Sequence, residues 1–269
     1  MKTKVLDFSV LDKAGRWDID FHLPPEKIQQ FSNASVKEIR DLATVRKLKR
    51  DPSQNPDDLF QYVDIASVEV ATGSIVNPQE LSGEEAPSRA RKVIAAHDII
   101  VSTCRPTRGA VAVVPVELHN QIASTAFTVL CPKEGVNPYY LHFVLRLEST
   151  REQFRKWSTG SSYPAILDED VEKTRVPFVE LAEQDLIAER VIEAFAQREA
   201  AIARANSDWN ATVEGISGEI AAGKVSGPSG KIAYSYAEIA RRQGALPALT
   251  FDVAKRAAKA TKADGSTDS

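Results

Sequence analysis

Two arginines and two threonines crowd the stretch "STCRPTRG", residues 102–109. Arg105 and Arg108 carry planar forks of N–H donors that fit guanine edges or phosphate oxygens, and the hydroxyls of Thr103 and Thr107 suit phosphate oxygens. Upstream, Arg89, Arg91 and Lys92 add charge of the same sign. From Arg89 to Gly109 there are five basic residues and one acid, Asp98. Presented by a turn at a strand end, such a cluster could hold an anionic polymer. A solvated surface is the bland reading of the same charges. A second stretch, "KWSTGSSYPAILDED" (156–170), offers Lys156, Ser161, Ser162 and Tyr163 to a nucleic-acid backbone. Its Gly160 and Pro164 equally suit a turn that ends a helix and returns the chain toward a sheet.

Other chemistries find less support. "NPYY" (137–140) is similar to the Asn/Asp-Pro-Pro-Tyr motif of amino-methyltransferases, but the second proline is missing and no glycine-rich cofactor loop lies upstream. "GKVSGPSGK" (223–231) fails the phosphate-loop spacing, because Val225 stands where the first glycine belongs. No lysine has an acid two residues before it, which removes the Asp/Glu-x-Lys strand of many metal-dependent nucleases. His22, His97, His119 and His142 are scattered and share no metal-ligand spacing. No catalytic residue, metal site or cofactor is therefore expected, although a site assembled from distant residues would escape such a reading.

The 269 residues, 43% hydrophobic, suffice for one sizeable core with an appendage or for two small domains. The net charge of −3 is too acidic for a protein that coats nucleic acid by bulk electrostatics, so a nucleic-acid role needs a local patch. Two cysteines, Cys104 and Cys131, without a CxxC, fit a reducing cytosol. No long apolar run suggests a leader or a membrane span, and a cytoplasmic location without membrane partners is expected.

The elements that must position these residues follow from periodicity. "SVKEIRDLATVRKLKR" (35–50) reads as a helix with Ser35 at its N-cap and a stripe of Ile39, Leu42, Val45 and Leu48. Residues 60–76 read as strand with a bend at Thr72-Gly73, and 78–92 as a polar loop. Three β-rich pieces cover 97–104, 109–116 and 123–131. A helix is expected over 137–157, starting near Pro138. From Ala182 helix formers dominate, and Ala188, Phe195, Ile202, Trp209 and Ile216 recur every seven residues, with Val191, Ala205 and Ile220 in a second seam. That repeat is what a coiled coil needs. The Ala/Lys/Arg-rich tail is expected to be loosely ordered.

In this order the pieces resemble a target-recognition domain of a type I restriction-modification DNA specificity subunit. "RWDIDFHLP" (16–24), "YVDIASVEVATGSI" (62–75), "HDIIVSTCRPTRGAVAVV" (97–114) and "ASTAFTVLCP…NPYYLHFVL" resemble that family loosely, with His97 where glycine is usual. "STGSSYPAILDEDVEKTRVPFVELAEQDLIAERV" (158–191) resembles it more specifically. Family members usually carry two such domains and two long helices; one of each is visible here.

The resemblance implies an α/β fold: a globular target-recognition domain with a mixed β-sheet and flanking helices, followed by a long coiled-coil-like helix. The boundaries expected are 1–180 for the DNA-binding domain, 181–222 for the helix and 223–269 for a flexible extension. It implies a non-catalytic subunit that binds double-stranded DNA and directs a DNA methyltransferase subunit, with a restriction or translocase subunit as a further partner. Arg89, Arg91, Lys92, Thr103, Arg105, Thr107, Arg108, Lys156, Ser161, Ser162 and Tyr163 are the expected DNA-facing residues. Val191, Phe195, Ile202, Trp209 and Ile216 are the expected helix interface, used for a homodimer. The competing classes are an enzyme with a cryptic nuclease or methyltransferase site, and a recognition or scaffold component of another defence system.

Overall fold

The structure is a computed structural model that describes residues 5–17, 19–22, 35–160 and 163–224. The chain divides into two compact units, Met1–Ile202 and Ala203–Ser269. In the second, the described residues carry the continuation of a long helix.

The first unit is built on two four-stranded sheets. One has the order β6 (Gln79–Ser82), β3 (Leu59–Val63), β10 (Gln121–Ser124), β7 (Ala90–Ile94); the other has the order β2 (Ala43–Val45), β11 (Phe127–Pro132), β8 (Ile99–Ser102), β9 (Val111–Val113). The first sheet is mixed, because β10 runs parallel to β3 and antiparallel to β7. Two short antiparallel pairs complete the strands: β1 (Ser35–Glu38) with β12 (Arg175–Phe178), and the hairpin β4 (Val68–Glu69) with β5 (Ser74–Ile75).

Strand alternation explains how the second sheet is covered. In β8, Ile99 and Val101 belong to one apolar cluster, with Leu141, Val144, Leu145 and Phe154. Ile100, between them, belongs to another, with Val63, Ile94, Phe127 and Val129. Successive side chains point to opposite faces, so one face of the sheet meets helices and the other meets the first sheet. Each fully buried Ile or Leu contributes roughly 1.5–3 kcal/mol over leaving it in water. The helices concerned are α4 (Pro138–Leu145), α5 (Glu148–Trp157) and the short α3 (Ile39–Leu42) and α6 (Asp168–Glu172). Two further short helices, α1 (Phe8–Ala14) and α2 (Ile19–His22), lie near the N-terminus, and the long α7 spans Leu181–Ala221.

Four expectations need correction. The helix read over 35–50 is a strand, one helical turn and a strand. Ser35–Glu38 pairs with Arg175–Phe178, a partner far away in sequence that local pattern does not reveal. Ile39 and Leu42 are buried as expected, but Leu48 is exposed. The polar loop read over 78–92 holds β6 and the start of β7. The piece 123–131 is two strands that join different sheets; the backbone N–H of Ala126 donates to Ser124 Oγ at the crossing, 3.2 Å. The single helix over 137–157 breaks at Arg146-Leu147. Leu147 takes an extended conformation, φ −59° and ψ 148°, and Thr150 Oγ1 donates to Val144 O at 2.7 Å. Asn137 caps α4 by accepting from the N–H groups of Tyr139 and Tyr140.

The N-terminal turns of α7 pack on the unit. Ala188 and Gln184 are buried, and Gln184 bonds to Asn137 N–H and to Val179 O. Val191 and Phe195 are half-buried, with the Phe195 ring 6.1 Å from His142. Beyond them Ile202, Trp209, Val213, Ile216 and Ile220 are exposed. Among the described residues no helix is long and apolar enough to cross a membrane.

Candidate nucleic-acid interface

The 102–109 stretch leaves β8 and folds into a single 3-10 turn over Pro106–Arg108. Arg105, at its start, takes the left-handed conformation, φ 48° and ψ 52°. For a non-glycine residue that costs on the order of 1 kcal/mol and persists only where the surroundings impose it. Here they do. The Arg105 N–H donates to Pro164 O at 2.7 Å, Pro106 is buried behind it, and Ser102 Oγ donates to Cys104 O at 2.8 Å. Gly109 closes the turn at φ 79°, an angle that suits glycine.

The partner segment is the chain that leaves α5. Thr159 and Ala165 exchange two backbone hydrogen bonds of 2.9 Å, and Ile166 N–H donates to Thr103 O. Gly160, at φ 92°, makes the reversal between them. Ser158 Oγ and the Arg16 guanidinium close the last turn of α5: Ser158 donates to Phe154 O, and Arg16 donates to the carbonyls of Trp157 and Ser158. Ser158 and Thr159 thus end a helix, and Pro164, Ala165 and Ile166 join this segment to the end of β8. Ser161 and Ser162 lie outside the described residues. Tyr163 is 71% exposed, and the Arg105 guanidinium carbon sits 4.5 Å from its ring centre.

Arg89, Arg105, Arg108 and Tyr163 converge on one groove of about 590 Å³. Its remaining walls include Tyr62, Asp64, Cys104 and Ser124. Asp64 is turned to its own loop, where it accepts from the N–H and Oγ of Ser67. The side chains of Arg89 and Arg108 are exposed and have no hydrogen-bond or ion-pair partner among the described residues.

The other expected residues go elsewhere. Thr107 lines a neighbouring hollow of about 990 Å³ with Arg16, Arg151, Arg155, Glu148 and Glu152. Arg91 pairs with Asp51 at 3.3 Å and donates to the carbonyls of Pro87 and Ala90. Lys92 Nζ donates to Phe127 O and lies 3.5 Å from Asp168. Thr103 Oγ1 donates to Ala126 O. Lys156 Nζ stands against the rings of Trp157 and Phe21. Asp64 and Ser124 have no sequence signal that links them to the arginines; only the sheet order brings them together. Among the described residues no cluster of three or more His, Cys, Asp or Glu could hold a metal.

Behind the groove, a polar clamp holds the β4–β5 hairpin. Arg146 donates to the carbonyls of Val70, Ala71 and Thr72. Glu69 accepts from Thr72 Oγ1 and from Arg198, and both lower its pKa, Thr72 the more. His142 is fully buried under the hairpin. Burial pushes its pKa down to about 4, with the Arg146 charge adding to the shift. Backbone groups of Val111 and Gly73 oppose the shift without satisfying either ring nitrogen. Burial likewise raises the Tyr140 phenol to about 12, its hydroxyl donating to Pro177 O.

Residues 32–202 match the family described as Type I restriction modification DNA specificity domain. The fold is similar to the crystal structure of the HsdS subunit from Thermoanaerobacter tengcongensis. The two share 35% identity with a TM-score of 0.56, over 67% of this chain and 46% of that one. A second similar structure, solved for complex assembly and conformational transition of the type I R-M system, shares 32% identity with a TM-score of 0.55. It covers 74% of this chain and 51% of the other. The chain spans about half the length of these two solved proteins. No curated protein sequence matches it. The family match covers more than half of the chain and includes the arginine groove, the clamp and the first turns of the long helix: the chain belongs to the type I restriction modification DNA specificity domain family.

Proposed function

We propose that the chain reads the sequence of duplex DNA as the specificity subunit of a type I restriction-modification system and directs a DNA methyltransferase subunit to its target. One observation carries this reading beyond the family itself. Three arginines and a tyrosine from three separate chain segments share one groove, in a chain whose overall charge is −3. Charge gathered locally against the overall sign is what a site-directed polyanion binder needs. The chain acts in the cytoplasm, without catalysis of its own and without a cofactor, and a restriction or translocase subunit joins the same assembly.

The oligomeric part of the proposal rests on α7. Ile202, Ala205, Trp209, Val213, Ile216 and Ile220 recur at steps of three and four and are exposed, which suits a seam buried by a second helix. That helix is α7 of a second copy, packed about a twofold axis.

The deciding experiment is a salt titration of duplex binding, with and without a methyltransferase subunit. Binding that weakens linearly in log–log form as salt rises, and methylation only when the methyltransferase is present, are expected. A chain that binds duplex in neither condition, or that methylates or cuts DNA when free of partners, overturns the reading.

A further inference from the structure

We propose that Arg105 is the base-reading residue of the groove, that Tyr163 positions it, and that Arg89 and Arg108 hold backbone phosphates. The proposal rests on the DNA-reading function above and divides the labour within it.

The three arginines line the same groove but are held very differently. Arg105 sits in a left-handed backbone conformation fixed by its bond to Pro164 O. Its guanidinium lies over the Tyr163 ring. A guanidinium held over an aromatic face is restricted in the directions its N–H donors can take. The range of directions open to the fork is therefore narrowed before any ligand arrives. Bidentate pairing with guanine O6 and N7 makes that angular demand, since two parallel hydrogen bonds must form in one plane. Arg89 and Arg108 are exposed and unpaired among the described residues. Their charge can follow a phosphate at many angles, which contributes affinity and register but no sequence information.

The strain at Arg105 supports the same division. A glycine there would relieve it, and Gly109 shows that this turn accepts glycine at its other end. An arginine kept in that conformation holds its guanidinium over the Tyr163 ring, where glycine would place nothing.

The test is selection of duplexes from a randomised pool by the full-length chain, followed by salt titration on the selected duplex. Wild type is expected to enrich a sequence with guanine at one position. Arg105→Gly should fold, and lose discrimination at that position alone, by roughly one to two orders of magnitude. Arg105→Gln should shift the same position toward adenine, which glutamine pairs through N6 and N7. Tyr163→Leu should keep the preferred base but weaken the preference. Arg89→Ala and Arg108→Ala should each lower the salt slope by about one and leave the selected sequence unchanged.

The division of roles fails if Arg105→Gly weakens all sequences equally, or if Arg89→Ala or Arg108→Ala changes the base preference. A wild-type chain that enriches no sequence also sinks it. If that chain still binds the pool with salt dependence, the DNA-binding function stands; if it binds nothing, both fall.

Discussion

The guanidinium of Arg198, on α7, donates two hydrogen bonds to the carboxylate of Glu69, at 2.9 and 3.1 Å, across 129 residues of chain. The pair links the long helix to the same hairpin whose carbonyls at Val70, Ala71 and Thr72 accept from Arg146. Both partners are partly exposed, so solvent screens the attraction and the pair serves more to fix geometry than to add stability. Arg198→Ala is expected to lower the melting temperature by no more than a few degrees, and to speed hydrogen exchange over residues 190–198. Combining Glu69→Arg with Arg198→Glu should restore the exchange rates; no recovery would mean that the pair does not couple helix to hairpin.

Gly73→Ala should be far more damaging than Gly109→Ala. A β-carbon at Gly73 would come within 2.2 Å of His142 Nε2 and 2.5 Å of Val111 O, at φ 72°. Steric overlap and backbone strain together should cost about 3 kcal/mol. At Gly109 the closest atom is Arg151 Cδ at 3.4 Å, leaving about 1 kcal/mol of strain. Chemical unfolding of the two variants measures the difference.

Stability should fall in mild acid because of His142. The folded ring takes a proton only near pH 4 and the unfolded ring near 6.5. Between those values the unfolded chain binds more protons, so stability rises with pH across the window and is complete above it. The full swing is on the order of 3 kcal/mol. Urea unfolding of wild type and His142→Leu at pH 7 and pH 5 checks this: the difference in stability between the two pH values should be smaller in the variant by the histidine's share.

The half-buried and exposed parts of α7 should answer differently to mutation. Trp209→Asp, on the exposed stripe, should convert a dimer into a monomer by light scattering while helix content is kept. Phe195→Ala, which removes the ring beside His142, should cost about 2 kcal/mol of domain stability and leave the dimer intact. A wild-type chain that is monomeric at tens of micromolar, and unchanged by a methyltransferase subunit, would remove the pairing of helices.

What was readable in the sequence was what depends on near neighbours. The seven-residue repeat gave a long helix, and the Asn137-Pro138 start and the alternation of 97–104 gave α4 and β8. The break at Arg146-Leu147 was not readable, because its reason is the hairpin that Arg146 reaches, some 70 residues upstream. The strand at Ser35–Glu38 was hidden in the same way by its distant partner. At the candidate site, "STCRPTRG" drew attention by its own charges, and the groove does gather Arg105 and Arg108. Charge alone could not tell Arg89, which faces the groove, from Lys92, whose ammonium is held by Phe127 O and Asp168. That distinction follows from strand direction and sheet order.

The borders of the sheets carry a consequence for how copies meet. The outer side of β7 is occupied by residues 48–50: Val93 N–H donates to Leu48 O, Arg50 N–H donates to Arg91 O, and Lys49 bridges to Lys92. The opposite border, β6, is four residues long, and β2 and β9 at the borders of the other sheet are three each. Short borders are poor templates for strand addition, the usual route to aggregation of sheet proteins. Crowded together, such molecules are steered away from open-ended stacking through their strands, and the proposed pairing of two α7 helices, which closes at two, meets no competitor there.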